Sequence, residues 1–152
     1  MKTTSFSVLM AVVETKSSIQ QRNIASVQHI YDCFGRGDVP GILDHLSDGI
    51  EWWHAGDPSF VKYAGTFRGK EGVLQFFQIL GANVQFTGFE ISNYRANGNE
   101  VICDGNVSGI ATPTGKAYNV FPVFTWTFDE QGKVCILRAD GDMSAADAAS
   151  GK

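Results

Sequence analysis

Cysteine is scarce in this 152-residue chain: Cys33, Cys103 and Cys135 are the whole complement. They are odd in number, far apart, and form no Cys-x-x-Cys or Cys/His cluster. A zinc site is therefore not encoded, and three reduced, buried thiols in a cytoplasmic protein are expected. Charge is also sparse, at 18% of residues, with 12 Lys and Arg against 16 Asp and Glu. A net charge of −4 lacks the basic footprint that a phosphate backbone requires, so nucleic acid is not an expected partner. No apolar run approaches the roughly 18 residues of a spanning helix, so no membrane crossing is expected. There is no internal repeat and no linker.

What the chain does have is apolar bulk. Hydrophobic residues make up 43%, and 11 Phe, 4 Tyr and 3 Trp bring the aromatic share to 12%. One domain of ordinary size fits that length and composition. The rings form either an aromatic core or a ring-lined pocket.

The first 18 residues hold one basic residue, Lys2, before a short apolar stretch, Phe6 to Val13. Glu14 and Lys16 stand where a small-residue cleavage site would lie. This segment reads as an N-terminal arm or an extra helical turn, with an export signal as the alternative. Residues 19–36 read as a helix, with Ile24, Val27, Tyr31 and Phe34 at helical spacing and Ile30 and Cys33 beside them. Arg22, Asn23, Gln28 and Asp32 take its other side. Asp38 caps a short second helix that holds Pro40 in its first turn. Residues 50–54 read as a strand, a loop follows, and residues 69–80 read as a third helix on Val73, Phe76, Phe77 and Leu80.

From residue 83 the periodicity becomes that of strands. Residues 83–95 change phase between Phe86 and Phe89, which a bulge at Thr87–Gly88 reconciles. Asn97–Gly98 is a hairpin turn signal. Residues 100–111, 118–128 and 133–142 complete an antiparallel meander of about four strands. The tail, 144–152, is Ala, Ser and Asp with nothing to bury, and is expected to fray. Helices first and strands after predict a single α+β domain over 19–143, with the helices on one face of a curved sheet.

Four segments carry a resemblance to a known family. They are Tyr31-x-x-Phe34-x-x-Gly37-Asp38, Ile50-Glu51-Trp52, Ala64-Gly65-Thr66-Phe67-Arg68-Gly69-Lys70-Glu71-Gly72-Val73, and Phe128-Asp129-Glu130-Gln131-Gly132-Lys133-Val134. In this order they resemble the SnoaL-like, ketosteroid isomerase-like branch of the nuclear transport factor 2-like superfamily. The resemblance covers roughly 19–143. It implies a cystatin-like cone, a strongly bent and mostly antiparallel sheet around one long helix with an internal apolar pocket. It also implies a homodimer formed through the outer sheet face. Fold does not fix function in such a superfamily, which holds isomerases, cyclases, hydrolases, binders and adaptors.

Alternation in residues 50–54 puts Ile50, Trp52 and His54 on one face and Glu51 and Trp53 on the other. With Ile50 and Trp52 inside, His54 points inward. The resemblance places the isomerases' catalytic base at His54, or at Trp53 with a slip of one residue. An imidazole in an apolar cone is held neutral and able to take a proton. The bland alternative is a His bonded through one ring nitrogen to a loop carbonyl, with no chemical role. In the last strand Asp140 and Asp142 are candidates for its acid or its orienting partner, although parity with Arg138 also allows a surface ion pair. The Tyr31 hydroxyl is a candidate donor to a substrate oxygen. Phe124 stands where the isomerases have an acidic donor, and the Arg-x-Asp pair of the epoxide hydrolases has no counterpart, so neither of those activities is expected. Phe34, Trp52, Trp53, Phe60, Tyr63, Phe124 and Trp126 are the candidate pocket rings.

Gly65 to Gly72 follows no Gly-x-Gly-x-x-Gly pattern, so no nucleotide site is expected, and no metal or cofactor either. The resulting expectation is cofactor-free acid–base catalysis on an apolar oxygenated small molecule such as a polyketide or terpenoid. It would proceed by cyclisation, isomerisation or hydration. The alternatives are a non-catalytic module for a hydrophobic ligand and a dimeric protein-docking scaffold.

Overall fold

In a computed structural model the chain is described from Lys2 on, and its side chains from Lys16 on. The elements in order are α1 (Lys2–Gly35), α2 (Val39–Leu43), β1 (Leu46–His54), β2 (Gly65–Arg68), α3 (Gly69–Asn83) and β3 (Val84–Asn97). They continue with β4 (Glu100–Ala111), β5 (Lys116–Val120), β6 (Val123–Phe128), β7 (Val134–Asp140) and α4 (Ser144–Ala149). The strands form one seven-stranded sheet in the order β2-β1-β7-β6-β4-β3, with β5 alongside β4. Only the β1–β7 pair is parallel. Helices packed on a curved mixed sheet make the expected α+β cone.

Local chemistry explains most boundaries. The α1 helix inserts Val27, Ile30 and Cys33, all 2% exposed or less, while Tyr31 and Phe34 lie half-buried beside them. Truncating a residue such as Ile30 to Ala would cost about 2–5 kcal/mol. The Asp38 side chain accepts from Gly41 N–H at 3.0 Å, capping α2 as its sequence implies. The β3–β4 register shifts between Phe86 and Gly88, where the phase change required a bulge. It shifts again between Ser92 and Arg95, beside Asn93 at φ 57°.

Four expectations are corrected. Asn23 belongs not to the solvent side of α1 but to the buried face, at 2% exposure, where its Oδ1 accepts from Arg22 at 3.4 Å. Gly65–Arg68, read as loop, is β2, paired antiparallel with β1 from Glu51–Arg68 to His54–Gly65. Residues 118–128 are two strands, because the chain bends at Phe121–Pro122 to leave one part of β4 and join another. Gly105 makes that bend possible: a Cβ there would lie 3.0 Å from both Pro122 Cγ and the Phe124 ring. The tail does not fray. Asp142 accepts from Ser144 N–H at 2.9 Å and starts α4, which buries Met143, Ala146 and Ala149. Alanine's small side chain and high helix propensity explain why so plain a sequence docks. The expected N-terminal arm falls almost wholly before Lys16, outside the residues whose side chains are described. No helix of the described residues is long and apolar enough to cross a membrane.

Candidate active site

The bent sheet, α1 and α3 border a cavity of about 80 Å³. One water needs roughly 10–15 Å³ by the same kind of measure, so the space holds a few waters or a small ligand head. A chain of ring contacts crosses its wall. His54 meets Tyr63 at 5.1 Å and Phe76 at 6.0 Å; Trp52 meets Phe76 and Phe77 at 5.5 Å; Phe34 meets Phe77 at 6.1 Å and Phe89 at 4.8 Å. Among the described residues no Lys, Arg, Asp or Glu lines the space.

His54 is the last residue of β1, and the inward phase of Ile50 and Trp52 carries it to the cavity. Its Nδ1 lies 2.7 Å from the Ala55 carbonyl. A carbonyl only accepts, so Nδ1 carries the proton and Nε2 presents its lone pair. Burial pulls its pKa below the ordinary 6.5, and the carbonyl bond opposes that shift. The ring is therefore neutral at pH 7. The carbonyl bond is what the bland alternative for His54 anticipates as well; the difference lies in Nε2, which has no hydrogen-bond partner among the described residues.

Four further polar groups border the cavity. Tyr63 and Tyr118 pair through their hydroxyls at 3.3 Å, and burial raises the pKa of both, keeping them protonated donors. The Tyr31 hydroxyl accepts from Trp126 Nε1–H at 3.2 Å and lies 3.7 Å from Cys103 Sγ; burial, then Cys103, raises its pKa. Trp52 Nε1–H is the one buried side-chain donor without a partner among the described residues. Leaving a donor in that state costs about 1–3 kcal/mol, which a ligand oxygen would offset.

The structure thus brings together His54, Tyr31, Phe34, Trp52, Tyr63, Phe124 and Trp126. It separates four other candidates from them. Asp140 pairs with Arg138 at 3.2 Å on the outer sheet face, because Leu137 and Ala139 take the inward phase of β7. Asp142 is past the strand and starts α4. Trp53 points outward beneath the Arg138 guanidinium, 4.3 Å from its ring centroid. Phe60 is 37% exposed on the loop after β1. Sequence reasoning missed Tyr118, which shares the inward phase of β5 with buried Val120, and Met143, which reaches the cavity because α4 docks. The alternation Tyr118–Val120 was the available signal for the first. Among the described residues no group of three or more His, Cys, Asp or Glu is placed to hold a metal ion.

The SnoaL-like domain profile matches residues 27–136. The chain belongs to the SnoaL-like domain family. The cone is shared with solved structures. An NTF2-like protein from Burkholderia xenovorans LB400 is 27% identical, with a TM-score of 0.78, over 86% of this chain and 97% of that one. TerC, co-crystallised with polyporic acid, is 20% identical, with a TM-score of 0.76, over 86% and 99%. A protein provisionally named a SnoaL-like polyketide cyclase, from Jannaschia sp. CCS1, is 18% identical, with a TM-score of 0.73, over 88% and 95%. At 20% and 18% identity the last two speak to fold alone. A search of curated proteins finds no match.

Proposed function

We propose that this SnoaL-like protein is an acid–base enzyme acting on a neutral, apolar, oxygenated small molecule of polyketide or terpenoid type. The observation that carries this reading is the His54 imidazole, fixed by Ala55 O at 2.7 Å with its Nε2 open beside an apolar cavity. Nε2 takes a proton from a carbon next to a substrate carbonyl, and the electron pair moves onto the carbonyl oxygen. The Tyr63–Tyr118 hydroxyl pair, rather than a carboxylate of β7, donates to that developing oxyanion. Imidazolium then returns the proton to another carbon, giving isomerisation. Alternatively, the enolate carbon attacks a second carbonyl of the same molecule and imidazolium protonates the new alkoxide, giving cyclisation. The same base would take a proton from water in a hydration. No step requires a cofactor.

The test is proton exchange into a model ketone. In D2O the wild-type protein should accelerate deuterium uptake at the α-carbon of hexyl methyl ketone, and His54→Gln should lose about 10²-fold or more of that rate. Binding of the ketone with the same exchange in both proteins would refute the base and favour a binding module. The reading includes a homodimer through the outer sheet face, where Ile136 is 37% exposed. Ile136→Lys should then sediment as a monomer beside a dimeric wild type, and equal sedimentation of the two would refute that pairing.

A further inference from the structure

A second concavity lies next to the active-site cavity. It is a groove of about 740 Å³ between the C-terminal half of α1, α3 and the edge strand β3. The two spaces share a wall, to which Phe34, Phe77, Phe86 and Phe89 contribute. These rings touch one another edge-on or tilted, with centroids 4.8–6.1 Å apart, and each is only partly buried. The partition is thus made of side chains rather than backbone. Beyond it the groove is apolar along Val39, Val84 and Ile91. Among the described residues its one carboxylate, Asp32, is already paired with Arg36 at 3.2 Å, and no Lys or Arg lines either space.

From this juxtaposition we infer that the substrate is an elongated, uncharged molecule with its oxygenated head in the cavity at His54 and a hydrocarbon tail running past the phenylalanine wall into the groove. The inference rests on the proposed reading of His54 for the position of the head. Size is the first argument. The cavity of about 80 Å³ accommodates a head and little more, whereas the adjoining groove is about nine times larger (740/80). Charge is the second. A fatty carboxylate or phosphate would meet no unpaired cation lining these spaces among the described residues, and a neutral ketone or aldehyde needs none. Continuity is the third, because the same rings serve both spaces.

The probes are straight-chain methyl ketones with hexyl, nonyl and dodecyl tails, and the readout is their dissociation constant from quenching of tryptophan fluorescence, since Trp52 and Trp126 line the cavity. Each buried methylene contributes about 0.8 kcal/mol, so affinity should rise about fourfold per methylene until the groove is filled. Gly81 supplies the block: it lies on the groove in α3, and a Cβ built there meets nothing within 4 Å. Gly81→Trp should obstruct the groove and bring the gain per methylene close to onefold. Ile91→Trp, from the opposite wall, should do the same and serves if Gly81→Trp does not fold. A flat dependence on tail length in the wild type would overturn the inference. So would the full dependence persisting in both tryptophan variants, or a change of oligomeric state in the variants with the dependence intact. Because the readout is binding, the result is independent of turnover, and equal deuterium exchange in the wild type and His54→Gln would refute the catalytic reading separately.

Discussion

Acid should weaken the fold through His54, and the size of the effect follows from where the ring sits. In the unfolded chain this histidine titrates at its ordinary 6.5, while in the fold burial holds its pKa lower. Between those two values the unfolded state binds the proton and the native state does not. Stability is therefore fully present above the unfolded value, falls as pH drops below it, and stops falling from this source once the folded value is passed. One proton of difference amounts to at most about 1.4 kcal/mol per pH unit. For a chain of this length that corresponds to roughly 3–6 °C of melting temperature per pH unit. The assay is a melting series from about pH 7 to pH 5 on the wild type and His54→Gln, and the quantity read is the difference in slope. His45, whose pKa is also lowered by burial and by His29, is present in both proteins and cancels. The lowered carboxylates Asp57, Asp104 and Asp142 exchange protons only nearer 3.8, below this range. Parallel slopes in the two proteins would mean that His54 ionises alike in both states, and the argument for a neutral base would fail. Deuterium exchange should follow the same logic, remaining flat below pH 6.5 and falling only when the native ring is protonated.

Asp140→Ala should change ketone exchange by less than about twofold and cost about 0–1 kcal/mol, because its partner Arg138 lies on the exposed outer face; a large loss of exchange with the fold intact would return Asp140 to the mechanism. Asp147→Ala removes the acceptor of the Asp57 N–H bond at 2.9 Å and should cost about 0.5–1.5 kcal/mol, seen as faster proteolysis behind Asp140; unchanged proteolysis would refute a latching role for α4. Gly56→Ala should disturb His54 without touching it. Gly56 is at φ 131°, and a Cβ there would lie 3.2 Å from Ala64 Cβ, so the peptide that carries the Ala55 carbonyl must rotate. Nitrogen NMR of the imidazole should then show mixed tautomers, and a single Nδ1–H tautomer in the folded variant would refute this positioning role.

Much of the fold could be read from the chain because its signals are local. The α1 spacing, the Asp38 cap, the β3 bulge and the turn after Asn97 each depend on a few neighbouring residues. Apart from Asn23, which its spacing of four and seven residues to Val27 and Ile30 already placed on the buried face of α1, the errors are non-local. β2 has only four residues and exists because β1 offers it an antiparallel edge. The division of 118–128 depends on Gly105, a residue of another strand, admitting Pro122 at 3.0 Å. α4 contains little that marks a buried helix, and its packing is decided by surfaces built from β4, β5 and the loop after β1.

The site divides along the same line. His54 was legible because two-residue alternation fixed it relative to Ile50 and Trp52, with both neighbours unambiguously apolar. The same rule applied to β7 set Arg138 and Asp140 against Leu137 and Ala139, so the carboxylates could reach the cavity only by a break in alternation. The strand keeps its phase through Asp140, and the chain turns at Gly141, with φ 127°, beyond it. What replaced the carboxylates could not be read from one strand. Tyr63 comes from the loop after β1 and Tyr118 from β5, and nothing in either segment specifies that their hydroxyls lie 3.3 Å apart. A base can be assigned from the periodicity of one strand, whereas a donor shared by two segments emerges only when the sheet closes. Substitutions at Tyr63 and Tyr118 should accordingly act as a unit: if their pairing supplies the donor, Tyr63→Phe and Tyr118→Phe together should slow exchange by much less than the product of their separate effects.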